Sequence, residues 1–430
     1  MKAIIAVLMA FYTVFVSIFS LGLKAEAPAD TSDFVPVVRF TVASDTHTKV
    51  FVPERTKRIQ KTLMMGYDIA EKSKTYNKLD ACLFVGDVTD NGFYNQFAVF
   101  GAAVNSVIKD ETQLLAVVAK SHDSGTHDKK SIDAIEYLTG KESDFHCIIN
   151  GFHFIGLSTC KTDDVMYEDY QRTWLSGELK KASQDDPNKP IFLMHHEHVA
   201  GTVYGSLDGD GWGTDYFKDI ISQYPQIIDF SGHSHYPLND PRSIWQGEFT
   251  AVGTGALNYA EFTVDGERCV HPEGYKEDAQ IWVVEADANN RIRLRGMDLL
   301  TDSVLCEYII NNPADADNRQ YTPEKQKKAA SAPEFLNLTF TNIKRKKDTV
   351  TLTFDAAEST DGYPVFLYRF IVCDENGSEI SDNYLLDKNW TAKCYQTVTY
   401  SVNAKSGQTI KVYAENSFGM RSEPITYKIK

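Results

Sequence analysis

Asp and His residues recur at one kind of position in this sequence, directly after short apolar runs. Side chains of these two types bind metal ions and move protons, so their clustering is a functional signal. In an open α/β sheet, such groups gather where the carboxyl ends of the strands meet. If the runs are strands of one sheet, we expect all five clusters at one edge. The clusters are Asp45 and His47 in VASDTH, Asp87 in LFVGDVTDNG, His122 and Asp123 in VVAKSHD, His195, His196 and His198 in FLMHHEH, and His233 and His235 in FSGHSH.

Together, the five clusters indicate a cation more strongly than any one of them does. An isolated Asp-x-His after a strand is more often a turn with an Asx hydrogen bond than a pair of ligands. Five clusters at equivalent positions would bury many polar groups, at a cost of several kcal/mol each unless a cation neutralises them. Oxygen and imidazole ligands without thiolate suit Zn, Fe or Mn.

In order and spacing, these clusters resemble the motifs of the calcineurin-like metallophosphoesterases. The resemblance covers about residues 35–300, and four of its five blocks are intact. It implies hydrolysis of a phosphomonoester or phosphodiester, in which two ions lower the pKa of a bridging water so that hydroxide attacks phosphorus. The matching residues are Asp45-x-His47, Gly86-Asp87-x-x-Asp90, Lys120-Ser121-His122-Asp123, His195 and Gly232-His233-x-His235.

Carried over to this chain, the resemblance implies two divalent or trivalent metal ions of Zn, Fe or Mn. The first ion would be held by Asp45, His47 and His235, and Asp87 would bridge it to the second. The residues expected at the second ion are His195, His233 and, as a weak ligand, Ser121.

The third block departs from the family pattern. Where the family has Gly-Asn, this chain has Lys120-Ser121, and a Ser hydroxyl is shorter than a carboxamide and not carbonyl-like. We therefore hypothesise a weakened second metal site. Lys120 could lower the occupancy of that site, bind substrate phosphate or be an ordinary solvated side chain. The resemblance implies that His122 stabilises the phosphoryl oxygens or protonates the leaving oxygen, and that Asp123 orients its imidazole. The alternative is a catalytically impaired member that acts as a metal-stabilised binding or cell-surface adhesion protein.

Neighbours of the motifs carry weaker signals. His196 and His198 could line the substrate pocket, although exposed polar positions are the default. His127 and Asp128 would either support the third block or belong to an ordinary loop. The Gly-rich stretch 205–213 could cover the active site, with Trp212 as an apolar wall.

The apolar runs from residue 35 to about 300 alternate with polar or helix-patterned stretches, which predicts a layered α/β domain. Later runs lack long intervening helices and indicate an antiparallel second sheet. We therefore predict a two-sheet αββα sandwich over residues 35–310. Its first six strands are predicted at 37–43, 81–85, 114–119, 147–157, 191–194 and 227–230, and the later runs at 249–252, 281–284 and 292–294.

The last quarter of the chain has a different character. Residues 311–333 are polar, contain three Pro and show no apolar period, which predicts a linker. From residue 334 to 430, short apolar runs recur between turn residues and predict a small all-β sandwich. Its tail, with the stretch VYAENSFGMRSEP, resembles fibronectin type III modules. Such modules usually space or dock an enzyme, so we expect contact with a surface polymer or a protein here.

The first residues predict export. After Lys2, the chain carries no charge from Ala3 through Leu23, and the small-residue stretch Ala25-Glu26-Ala27 follows. This pattern is typical of a secretory signal over residues 1–27. The apolar run is also long enough for an uncleaved membrane anchor at residues 3–23. We therefore expect a secreted or cell-surface protein.

Charge and cysteine content narrow the choice of partners. The formal net charge of −15 argues against non-specific binding to nucleic acid or anionic lipid, because such binding needs clustered Lys and Arg. The seven Cys residues form no CxxC pair, and an odd number leaves at least one unpaired. Cys82 is expected in the core, and a disulfide between Cys373 and Cys394 is one option.

Overall fold

The computed structural model describes residues 2–28, 34–124, 128–159, 166–391 and 394–430. The chain divides into two compact units. Unit 1 is Met1–Leu238 with Ser243–Thr322, and unit 2 is Asn239–Arg242 with Pro323–Lys430. The stretch 311–333, predicted as a linker, is thus divided between the two units and contains a helix at Pro323–Ala329.

The described elements are named in chain order. The helices are α1 (Lys2–Phe19), α2 (Pro53–Lys72), α3 (Tyr94–Asn105), α4 (Asp128–Thr139), α5 (Asp169–Asp185), α6 (Lys218–Ile221) and α7 (Pro323–Ala329). The strands of unit 1 are β1 (Pro36–Ala43), β2 (Ala81–Val85), β3 (Gln113–Val117), β4 (Phe145–Ile149), β5 (Phe152–Gly156), β6 (Ile191–Met194), β7 (His198–Val199), β8 (Gly213–Thr214), β9 (Ile227–Ser231), β10 (Ile244–Gln246), β11 (Thr250–Gly253), β12 (Phe262–Val264), β13 (Glu267–Val270), β14 (Gln280–Asp287), β15 (Ile292–Asp298) and β16 (Ser303–Ile310). Those of unit 2 are β17 (Asn342–Lys346), β18 (Thr349–Asp355), β19 (Val365–Cys373), β20 (Glu379–Leu386), β21 (Thr397–Asn403), β22 (Thr409–Asn416) and β23 (Ile425–Lys428).

Unit 1 contains two six-stranded mixed sheets, and the prediction of an α/β sandwich is confirmed. The first sheet has the order β16-β15-β14-β1-β2-β3, and the second has the order β10-β11-β9-β6-β5-β4. The allocation of strands differs from the prediction, because β6 and β9 lie in the second sheet while β14 and β15 return to the first. Strand β14 pairs antiparallel with β1, and this long-range pairing leaves no local sequence signal. The polar clusters therefore come from two facing sheets rather than from one.

Alternating side chains hold the layers together. On β6, Phe192 and Met194 enter the core between the sheets, where the Phe192 ring lies 4.7 Å from the Phe40 ring of β1. Ile191 and Leu193 point the other way, into the core under α5 and α6. Helices α2 to α4 cover the outer face of the first sheet, and α1 packs mainly on α3. The result is a helix-sheet-sheet-helix sandwich.

The predicted strand 147–157 is wrong in detail, because the chain turns back within it. Asn150 and Gly151 have φ angles of 50° and 79° and connect the antiparallel strands β4 and β5. An Asn-Gly pair favours this two-residue hairpin turn. The Asn-Gly dipeptide therefore indicates a turn, but it lies within an apolar stretch interpreted as one strand.

Unit 2 is a small all-β sandwich of a three-stranded and a four-stranded sheet. Side chains from both sheets, such as Val350 and Phe370, share one core. Strands β17 and β20 are not marked by apolar runs, because their sequences, NIKRK and EISDNYLL, are largely polar and mostly not buried. The six described cysteines are free thiols, so Cys373 and Cys394 are not joined, and Cys82 is buried as expected.

Candidate metal centre

The carboxyl end of β1 leads directly into Asp45 and His47. Both side chains are at most 1% exposed, and both residues have positive φ angles, 53° and 42°. Backbone bonds from Asp45 N–H to Gly86 O and from His47 N–H to Asp87 O align this loop with the loop after β2. Left-handed backbone in non-glycine residues is costly and persists where surrounding structure enforces it, often at functional sites.

Asp87 follows β2 and lies at the middle of the site. Its φ is 46° and it is 1% exposed. The preceding Gly86 packs so closely on His196 that a Cβ there would collide with the imidazole. Ser121 Oγ donates to Asp87 Oδ1 at 2.6 Å, and the His122 N–H donates to the same oxygen at 3.2 Å.

His233 and His235 follow β9, again with positive φ angles, 72° and 58°. The His233 N–H donates to Asp45 Oδ2 at 3.2 Å. His235 Nε2 lies 3.1 Å from Asp45 Oδ1 and 3.2 Å from His47 Nε2. Asp45, His47 and His235, which were predicted to share an ion, are therefore in mutual contact.

The histidines after β6 differ from the prediction. His196, not His195, lies in the cluster, with Nε2 3.3 Å from Asp87 Oδ2 and Nδ1 2.9 Å from Val85 O. His195 points to the opposite face, where Nε2 lies 2.9 Å from Asp229 Oδ1. The reason is strand alternation: His196 continues the side of Phe192 and Met194, which faces the first sheet, and His195 continues the side of Leu193. His196, and not the predicted His195, therefore lies in the candidate ligand group with Asp87 and His233.

Three groups of side chains could each hold a cation, with ligand atoms within 4.8 Å of one another. His47 and Asp87 each belong to two of these groups, so the three groups form one continuous site. Two buried atoms in it, Asp45 Oδ1 and His196 Nε2, form no hydrogen bond of normal geometry, although each lies within 3.3 Å of an oppositely charged partner. Buried polar atoms without partners are costly, and a cation would satisfy both. The three groups are Asp45, His47 and His235; His47, Asp87 and His122; and Asp87, His196 and His233.

The electrostatics of the site also fit a cation. Burial lowers the pKa of His47 to about 3, which leaves a neutral imidazole able to bind metal. Burial alone would lower the pKa of His196, but Asp87 and Asp45 raise it well above its usual value. Burial would also lower the pKa of His235, but the neighbouring Asp45 raises it above its usual value. A raised pKa favours protonated imidazoles at His196 and His235, beside the carboxylates. A bound cation would replace those protons.

The third block is arranged differently from the prediction. Asp123 does not contact the His122 ring; it is fully buried and accepts bonds from the N–H groups of Val88, Thr89 and Ala119. It thus fixes the loop after Asp87. His122 Nδ1 instead lies 3.0 Å from Asp90 O, and its ring meets His47 edge to face at 4.4 Å.

A cavity of about 590 Å³ opens beside His47 and His122. Its wall carries Lys49 and Arg55, which pair with Asp90 at 3.0 Å each. Aromatic side chains, Tyr259 and Tyr275, line it as well. Sequence reasoning missed these residues because they lie outside the motifs. The other two cations of the wall are Arg58 and Lys276.

The structure also places two further residues, His198 and Trp212, for which the sequence left more than one position open. His198 is buried between Ser231 Oγ and Ser234 Oγ, at 2.8 and 2.7 Å, so the default of an exposed position is wrong. Trp212 packs edge-on against His233 with ring centroids 4.9 Å apart. His127 and the Asp128 side chain lie outside the described residues.

The chain was compared with known proteins. No family model and no curated protein matches it. Among solved structures, it is similar to GAP50, the anchor in the inner membrane complex of Plasmodium, with 11% identity over 66% of this chain and 93% of that chain and a TM-score of 0.46. For purple acid phosphatase PPD1 of yellow lupin, identity is 13% over 67% of this chain and 55% of that chain, with a TM-score of 0.44. For a putative 5'-nucleotidase of Staphylococcus aureus, identity is 11% over 79% and 74%, with a TM-score of 0.34. These values assign neither a family nor a function to the chain.

Proposed function

We propose that unit 1 is a metal-dependent phosphoesterase that hydrolyses a phosphomonoester or phosphodiester. The observation that carries this proposal is a buried site with two ligand groups, Asp45, His47 and His235 beside Asp87, His196 and His233, which are connected because ligand atoms of His47 and Asp87 lie within 4.8 Å of each other. Bound cations would attract a phosphate ester and activate water as the nucleophile. The residues that would hold them are Asp45, His47, Asp87, His196, His233 and His235.

His122 is the residue best placed to act on the leaving group. It lines the cavity, and its Nδ1 is held by the carbonyl of Asp90. This contact orients the ring and leaves Nε2 for a phosphoryl oxygen or for the leaving oxygen. Asp123 acts on the backbone instead, because it keeps the turn after Asp87 in place.

Binding of the anionic substrate would depend on the cavity. The chain is acidic overall, yet four cationic side chains converge on this wall. Lys49 and Arg55 are partly neutralised by Asp90. Lys276 lines the cavity with its Nζ 5.4 Å from the centre of the Tyr275 ring, and its ammonium charge would attract a phosphate.

The proposal is tested with purified chain, Mn, Zn or Fe, and the two chromogenic substrates p-nitrophenyl phosphate and bis-p-nitrophenyl phosphate. We expect hydrolysis of at least one ester, lost on chelation and restored by metal. The Asp87→Asn variant should lose at least about 100-fold in kcat/KM. If metal binds but neither ester is hydrolysed, the alternative of a metal-stabilised binding or adhesion protein is favoured.

We further propose that the chain acts outside the cytoplasm and that unit 2, a fibronectin type III-like module, contacts a surface polymer or a protein. Support for export is the uncharged stretch Ala3 through Leu23, most of which forms helix α1. This helix is long and apolar enough to cross a membrane. Fractionation of expressing cells tests the first proposal, since cytoplasmic recovery would contradict it.

A further inference from the structure

Helix α1 packs against the rest of unit 1 through one face only. Ile5, Tyr12 and Val16 are buried in the same core as Phe97 and Phe100 of α3. At Gly101 of α3, an added Cβ would lie 3.0 Å from Met9 Cε, so the two helices approach closely. The chain beyond α1 is held too, because the Ala27 N–H donates to Asp68 Oδ2 at 2.7 Å.

Helix α3 requires such a cover. It has no charged residue, and nine consecutive residues within it are buried. A helix that is apolar all round is normally covered on both sides. The first sheet covers one side of α3, and α1 covers another. A signal segment that is removed has no reason to match the surface of the mature protein, so this fit favours retention of α1.

The opposite face of α1 is apolar and exposed. Its outward residues, spaced three or four apart, form a stripe along the whole helix, and each is at least 54% exposed. Outer helices of soluble domains are polar on this side, as α5 is with the exposed Ser176 and Lys180. The stripe consists of Ile4, Val7, Phe11, Val14 and Ile18.

Phe51 adds a further exposed apolar side chain on the flank of α1, next in the chain to residues that line the cavity. This residue is 63% exposed, has a φ of 59°, and lies 5.4 Å from Phe15 and 6.3 Å from Tyr12 between ring centroids. Its neighbours Lys49 and Val52 line the cavity. Phe93, 52% exposed, precedes α3 on the loop that runs beside the Phe51 loop, as the bridge between Thr48 and Thr89 shows.

We propose that α1 stays in the mature protein and that its stripe, together with Phe51, docks unit 1 on a lipid bilayer. The occupant is lipid rather than a second copy, because the 18-residue helix has a mean hydropathy of 2.2, a value typical of membrane segments. Lys2 and Lys24 flank the apolar stretch, as interfacial cations do. If the proposed function holds, the cavity then opens beside the membrane and its substrate is a phosphate ester presented there.

The test uses the full chain made by cell-free translation and flotation with phosphatidylcholine vesicles, without metal or substrate. We expect vesicle binding that is insensitive to salt, because apolar contact is not screened. Phe51→Asp should weaken binding at least about fivefold. Ile148→Asp, at a residue of β4 that is 56% exposed, is the matched control and should bind as wild type does.

A second measurement is the intact mass of the chain purified from cells that export it. A mass that includes residues 2–23 supports the proposal. A mature chain that starts after residue 23 overturns it. Vesicle binding unchanged by Phe51→Asp also overturns it. A stable dimer that forms without vesicles and does not bind to them overturns it as well. None of these results depends on phosphoesterase activity, so failure here is distinguishable from failure of the proposed function.

Discussion

His196 Nε2 lies 3.3 Å from Asp87 Oδ2, whereas the adjacent His195 lies 2.9 Å from Asp229 on the other face of β6. We expect His196→Gln to remove one bound ion and to lower kcat/KM at least about 100-fold. His195→Gln should retain both ions and most activity. Metal content per folded chain and ester hydrolysis check this pair. Equal loss of metal in both variants would contradict the assignment.

Ser121 is the residue that we expect to weaken the binding of the second ion. Its hydroxyl already donates to Asp87 Oδ1 at 2.6 Å, so its proton faces the carboxylate rather than a cation. Ser121→Asn would place a carbonyl-like oxygen there, and we expect about 10-fold tighter binding of the second ion. Calorimetric titration with Mn or Zn measures this, with Ser121→Ala as the control. Identical affinities in Asn and Ser forms would refute the hypothesis.

Lys276 should contribute to substrate binding but not to the chemical step. It lines the cavity, and its removal takes one positive charge from the path of the phosphate. We expect Lys276→Gln to raise KM about three- to tenfold while kcat changes little. Lys109→Gln is the matched control, because Lys109 also lies over a tyrosine, Tyr67, and does not line the cavity. A fall in kcat with unchanged KM would contradict this role.

Asp278 should make stability depend on pH. Burial raises the pKa of Asp278 to about 8, above the value of ~3.9 expected when unfolded. Between these values the folded chain binds more protons than the unfolded chain, so the residue makes stability fall as pH rises. We therefore expect Asp278→Asn to increase the free energy of unfolding by about 1–3 kcal/mol at pH 8 and by little at pH 4.

Thermal or urea unfolding at both pH values checks the Asp278 prediction. Asp208→Asn provides the control, because Asp208 is exposed. Its substitution should change the free energy of unfolding by the same amount at pH 4 and at pH 8. An Asp278→Asn effect that is the same at pH 4 and pH 8 would show that burial does not protonate this carboxyl.

Local patterns sufficed for the layered fold and pointed to most of the residues that the structure brings together, but they did not give the register of β6. Asp45, Asp87 and His233 were identifiable because each follows a run that can only be a buried strand. The choice between His195 and His196 depends on which side of β6 faces the first sheet, and that is set by the pairing of β6 with β5 and β9. The contacts of Asp123 were not predictable for a similar reason, since two of its three backbone partners lie 34 and 35 residues away.

The most direct test of the central claim is elemental analysis of the purified chain after incubation with Mn, Zn or Fe and removal of free metal. We expect about two bound ions per chain, fewer in Asp87→Asn, and hydrolysis that follows metal content. A wild-type chain that binds no metal under any of these conditions would contradict it.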